Sequence, residues 1–228
     1  VSIWCIDIET VPLGTDRACP NGVPDWFLED QDGTPAQVLD AWKQHALNPY
    51  TAQVVAIALS PADSSGANSA DPDECQRVSH ADEQHLMTVL EHLLRENDVR
   101  YLVHWGSYDP PVLHEAMVRH DLRMPRLAHL TRQKVRGRAW YPACLDASLL
   151  THGRHCSGRR PGLKSIAADL GWGDPAQVKS TEVYDAFLRG DLAACANRAA
   201  VDVALTLRIL KRERALATVA DWAGGARW

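Results

Sequence analysis

The chain has 228 residues, 46% of them hydrophobic and 23% charged, and a net charge of −5. That is enough chain to bury a core without staples, a single domain over 1–228 is the simplest division, and no apolar run reaches the length of a membrane span. The six cysteines, at 5, 19, 75, 144, 156 and 195, form no C-x-x-C pair, which argues against a zinc ribbon or a dense disulfide framework and for reduced thiols in the cytoplasm. Nothing at the start of the chain reads as a secretory or transit signal.

The first predicted element is the apolar run Ile3-Trp4-Cys5-Ile6-Asp7-Ile8-Glu9-Thr10. Side chains alternate along a strand, so Asp7 and Glu9 project from one face. Two adjacent carboxylates repel unless a counter-charge joins them, and a divalent cation that takes oxygen ligands is one such charge. An edge strand with a solvated acidic face fits the spacing equally well. Residues 11–48 read as an irregular excursion with one helix over 35–45, and 53–60 as a second strand. A loop over 61–73 with a mobile tip and a third strand over 75–79 complete a hairpin. Leu86, Val89, Leu90, Leu93 and Leu94 fall at helical spacing over 82–96, with acids in the first turn.

A fourth strand is expected over 99–105, followed by a helix to about 120. Asp109 stands at that strand-to-helix junction beside Pro110 and Pro111, placed equally well for a ligand and for a plain N-cap. A basic connection over 125–141, a short helix over 144–151, a helix over 162–171 and short helices over 174–190 come next. The last long helix is expected over 191–222, with Leu192, Ala196, Ala199, Val203, Leu207 and Leu210 as its buried stripe and Asp202 beside it. Strands first and helices with crossovers after indicate an α/β domain on a mixed sheet.

Charge is distributed unevenly. Residues 119–164 hold eleven Lys/Arg, nine of them Arg, against two acids, a net +9, while the remainder carries −14. That is the footprint a phosphate-binding face leaves, and a solvated basic surface is the alternative.

Three motifs, Asp7-Ile8-Glu9-Thr10-Val11-Pro12, Tyr108-Asp109-x-Pro111 and Asp202-Val203-x-x-Thr206, occur in one order along the chain. With Ala46-Leu47-x-Pro49, Cys144-Leu145-Asp146, Leu163-Lys164-Ser165-Ile166-Ala167, Leu170-Gly171 and the Tyr184/Gly190 spacing, they cover residues 3 to about 210. The chain resembles the DEDD-type 3′-to-5′ exonucleases of the ribonuclease H-like superfamily, most closely those related to the exonuclease domains of family B DNA polymerases. The resemblance implies a ribonuclease H-like α/β fold, a five-stranded mixed sheet with helices on both faces and the second strand antiparallel to the rest.

It also implies that Asp7, Glu9, Asp109 and Asp202 hold two Mg²⁺ or Mn²⁺ ions that act on a phosphodiester bond of nucleic acid, single-stranded DNA first and RNA second. The same likeness points to substrate contacts at Thr10, Trp105, Tyr108 and Lys164, the +9 stretch adds Arg132, Lys134, Arg136 and Arg138, and the lack of a membrane-length apolar run argues against a membrane partner. Two positions depart from the family pattern. Arg198 and Asn197 stand where a Tyr or His precedes the last Asp, and His104-Trp105-Gly106 replaces a stretch that carries Asn. Arginine cannot act as a base near neutral pH, so Arg198 is expected as a catalytic phosphate clamp, or as a surface pair with Asp202. The alternative to an exonuclease is a catalytically weakened nucleic-acid-binding or proofreading-type domain of a larger replication, repair or defence assembly.

Overall fold

In the computed structural model, which describes residues 2–29, 31–62, 71–131, 144–148, 162–172 and 182–212, the opening apolar run forms strand β1 (Ile3–Pro12). β2 (Ala52–Pro61) lies antiparallel to it, and β3 (Gln76–Ser79) antiparallel to β2. On the other side β4 (Tyr101–His104) pairs parallel with β1, and β5 (Cys144–Asp146) parallel with β4. The five-stranded order β3-β2-β1-β4-β5 puts β1 in the middle and leaves β2 as the strand that runs against the rest. The acidic pair is therefore on the central strand, and the edge-strand reading of Asp7 and Glu9 falls.

Alternation along β1 distributes its side chains to two layers. Trp4, Ile6 and Ile8 pack against α3 (Glu83–Glu96), α4 (Asp109–Arg119) and α5 (Pro125–Thr131). Ile3 and Cys5 pack on the other face against the last helix described, whose Ala199, Ala200, Val203, Leu207 and Leu210 join Ala58 of β2. Numbered in chain order, α1 (Asp25–Glu29), α2 (Pro35–Gln44), α6 (Leu163–Asp169) and α7 (Val183–Leu188) precede that helix, α8 (Leu192–Arg212). α1, α2 and α7 bury Phe27, Trp42 and Phe187 in a further cluster with Val11 and Val55. This is the ribonuclease H-like arrangement, a mixed sheet with helices on both faces.

Several elements differ from the sequence expectation. Residues 144–146 are the edge strand β5 rather than the start of a helix, and the helical conformation begins at Ala147. A short apolar run carries no period of its own, and here its pairing with β4 decides. The excursion over 11–48 holds α1 as well as α2. Of the α8 stripe, Leu192 is only partly buried, and the helix buries a second side as well, where Val201, Leu205 and Ile209 pack against Leu163, Ile166 and Ala167 of α6. The tip of the 61–73 loop, most of the basic connection and the residues beyond 212 expected to continue the last helix lie outside the described residues.

Small residues set how close α8 comes to the sheet. Ala199 and Ala200 are fully buried where α8 crosses β1 and β2, and the Cys5 thiol lies 4.0 Å from the Val203 carbonyl oxygen. Ala199→Leu adds methylenes at this contact and is expected to cost about 1–3 kcal/mol in urea unfolding. It should also weaken divalent-ion binding, because Asp202 rides on the displaced helix. Unchanged ion affinity in a destabilised variant would separate packing from the site.

Candidate metal centre

Asp7 and Glu9 occupy the α8 side of β1, and Asp202 reaches them from the helix. One carboxylate oxygen from each of the three lies within 4.8 Å of the other two. The β1–β2 register shifts between Glu9 and Thr10, where Glu9 faces Ala56 but Thr10 faces Val54. Such an irregularity re-aims side chains locally, and here it falls beside the acidic pair.

Asp109 arrives from the parallel side of the sheet. β4 pairs with β1 as far as Val103 opposite Cys5, so the segment leaving β4 passes beside Asp7. α4 then begins at Asp109, with prolines in a first turn that needs no N–H donors. Tyr108 is the capping residue and makes no side-chain cap, so the plain N-cap reading of Asp109 is not realised. The Asp109 side chain is instead buried, at 5% exposure, with Oδ2 lacking a hydrogen-bond partner among the described residues.

The electrostatics follow from this crowding. Burial, then the charges of Asp109, Asp202 and Glu9, push the Asp7 carboxyl well above its ordinary range, with Arg198 acting in the opposite direction. Glu9 is raised to about 8 by burial and Asp202, against the pull of Arg198 and Lys164. Asp109 is likewise raised to about 8 by burial, Asp202 and Asp146. Acids held this way bind protons or cations in preference to standing ionised. The donors are all carboxylate oxygens, one of them buried and unpartnered, which fits a hard divalent cation such as Mg²⁺ or Mn²⁺.

Arg198 is the cation already in place. Its side chain is fully buried, at 0% exposure, with Nε 3.7 Å from Glu9 Oε1 and an Nη2 hydrogen bond to Asp202 Oδ1. The expected i,i+4 pair with Asp202 exists, but in the interior rather than on the surface. The guanidinium lies against these two carboxylates without exposure to water, and its charge pulls the Asp7 and Glu9 carboxyls down.

The remaining sequence-predicted residues divide into three groups. Lys164, in the first turn of α6, bears electrostatically on Glu9 and so belongs to this region. Thr10 and Tyr108 both hydrogen-bond the carbonyl oxygen of Ala46, and their hydroxyls lie 3.2 Å apart. They bolt the turn His45–Leu47 to β1 and α4, while Trp105 is half-buried between the α8–sheet core and the α6–α8 core. Arg132, Lys134, Arg136 and Arg138 lie outside the described residues.

Asp146, not singled out for a role from sequence, orders the approach to Asp109. Its Oδ1 accepts the Gly106 N–H and the Ser148 N–H, both at 2.9 Å, and the Ser148 hydroxyl at 2.6 Å. Gly106 adopts a positive φ of 82°, which a side chain would strain, so the Asp146 bond holds a turn that suits glycine. The signal for it was the Cys144-Leu145-Asp146 pattern. His104 is buried with Nδ1 unpartnered among the described residues, and burial lowers it to about 4. It is neutral near pH 7.

No protein-family model matches this chain, and no curated protein matches it. Solved structures do. One is the family B DNA polymerase from the hyperthermophilic archaeon Pyrobaculum calidifontis, with a TM-score of 0.53 and 16% identity, over 92% of this chain and 24% of that one. The chain thus spans about a quarter of the polymerase it resembles, and at that identity the likeness is one of fold. No helix among the described residues is long and apolar enough to cross a membrane, and the cysteines at 5, 19, 75, 144 and 195 are free thiols.

Proposed function

We propose that the chain is a metal-dependent 3′-to-5′ exonuclease domain that hydrolyses phosphodiester bonds of single-stranded DNA, with RNA as a second substrate. The observation that carries this is the convergence of Asp7, Glu9 and Asp202 within 4.8 Å of one another, with the charge of the buried Asp109, whose Oδ2 has no hydrogen-bond partner among the described residues, bearing on them. In this reading those four residues hold two Mg²⁺ or Mn²⁺ ions in the substrate complex. A divalent ion there supplies Lewis acidity and positive charge where the phosphodiester gathers negative charge. Asp7 anchors the set from the rigid central strand. Asp109 and Asp202 close on it from opposite layers, and Asp146 holds the turn that aims Asp109. Lys164 lies on the α6 side with its charge toward Glu9, and a phosphate bound there would meet it.

The burial of Arg198 among the acids, in the place of an aromatic residue, favours a second reading: a weakened nuclease that binds strands within a larger assembly. Free thiols suit a cytoplasmic setting for either. One assay separates them, using 3′- and 5′-labelled DNA and RNA with Mn²⁺ and with excess chelator. Stepwise loss from the 3′ end that stops in chelator supports the exonuclease. Cleavage that persists in chelator overturns the metal reading, and binding without cleavage supports the second.

The basic stretch supplies a further expectation. Replacing Arg132, Lys134, Arg136 and Arg138 together by Ala should weaken strand binding and flatten the slope of log affinity against log salt by about 3. An unchanged slope would put the phosphate path elsewhere.

A further inference from the structure

We infer that Arg198 stands in for one of the two cations, so that the nucleic-acid-free site takes a single divalent ion. The inference rests on the metal reading above and concerns how many ions the free protein holds. Arg198 is a permanent cation. Its guanidinium contacts Glu9 Oε1 and Asp202 Oδ1, the oxygens of two acids that would otherwise need a shared cation to lie side by side. It does so with no exposure to water, so little solvent screens it from an ion on the same carboxylates.

Charge then decides the count. Once an ion has displaced their protons, Asp7, Glu9, Asp109 and Asp202 with Arg198 among them sum to −3. One divalent ion brings the cluster to −1, whereas two bring it to +1 before any phosphate is bound, and the neighbouring charges of Asp146 and Lys164 offset each other. The Asp109 Oδ2, which lacks a hydrogen-bond partner among the described residues, marks the side where one ion is taken up. A second ion becomes favourable when a phosphodiester adds its own negative charge. Arg198 also explains how Glu9 and Asp202 stay together before any ion arrives: the site is held by a covalently attached cation in place of a diffusible one.

Mn²⁺ titration of the full chain without nucleic acid tests this, with free Mn²⁺ followed by electron paramagnetic resonance and stoichiometry checked by calorimetry. Wild type should bind one Mn²⁺ per chain and show no exchange-coupled pair at excess Mn²⁺. Arg198→Lys, which keeps the charge, should also bind one, and Arg198→Met, which removes it, should bind two and show the coupled-pair spectrum. Two ions in wild type overturn the inference while leaving the metal site intact. One ion in an Arg198→Met protein with wild-type circular dichroism and cooperative melting overturns it as well. No ion bound by wild type removes both this inference and the metal reading on which it rests. If Arg198→Met fails to fold, the wild-type count and pair spectrum still decide.

Discussion

Asp7→Ala is expected to lower phosphodiester cleavage by about 10³-fold or more, a loss of about 4 kcal/mol of transition-state stabilisation. Asp7 lies on the central strand with a carboxylate oxygen within 4.8 Å of those of Glu9 and Asp202 and with the charge of Asp109 bearing on it. The fold should survive, because the hydrophobic contacts of β1 come from Ile3, Trp4, Cys5, Ile6, Ile8 and Val11, which the change leaves untouched. The metal-free variant should be at least as stable as the parent near neutral pH, since a carboxyl raised first by burial and then by its like-charged neighbours opposes folding when ionised. Activity, ion stoichiometry by calorimetry and urea unfolding in chelator check the three parts separately. Unchanged stoichiometry in a folded Asp7→Ala protein would remove Asp7 from the site.

The second large effect concerns pH and ions together. Glu9 and Asp109 titrate near 8 in the folded protein, well above the range of an unfolded carboxyl. Between the unfolded and folded values the native state binds more protons than the unfolded chain, so the slope of unfolding free energy with pH is negative. The contribution is fully present below about pH 4 and is lost as pH rises toward 8. Metal-free protein is therefore expected to melt at a lower temperature at pH 8 than at pH 6. Adding Mn²⁺ at one hundred times its dissociation constant should return about 2.7 kcal/mol at pH 8, or about 5–10 °C, and less at pH 5, where protons compete for the same oxygens. Melting curves in chelator and in Mn²⁺ across this range make the comparison. An ion-induced shift that does not grow with pH would mean that Glu9 and Asp109 do not share the ion. Asp109→Asn should flatten the metal-free profile.

Elements with a strong local period were legible in the sequence. The alternation over Ile3–Thr10 identified β1 and the common face of Asp7 and Glu9, and the leucine spacing identified α3. Proline after Asp109 marked the start of α4 within a residue, because proline's missing N–H and fixed φ suit the first helical turn. The short β5 was misread as helix, since three residues hold too little periodicity to tell the two apart.

The sequence by itself determined the local conformations and the residue types brought to the site, because the periods of 2 and 3.6 are written into each segment. Only the tertiary structure decided which strand is central, since sheet order comes from pairings such as Cys5 with Val103 that no local pattern encodes. It likewise decided the fate of Arg198. The i,i+4 spacing to Asp202 is the same on a surface helix and a buried one. The packing of Ala199, Ala200 and Val203 onto the sheet is what closes α8 over β1, removes Arg198 from water and turns an ordinary helical pair into a cation enclosed by Glu9 and Asp202.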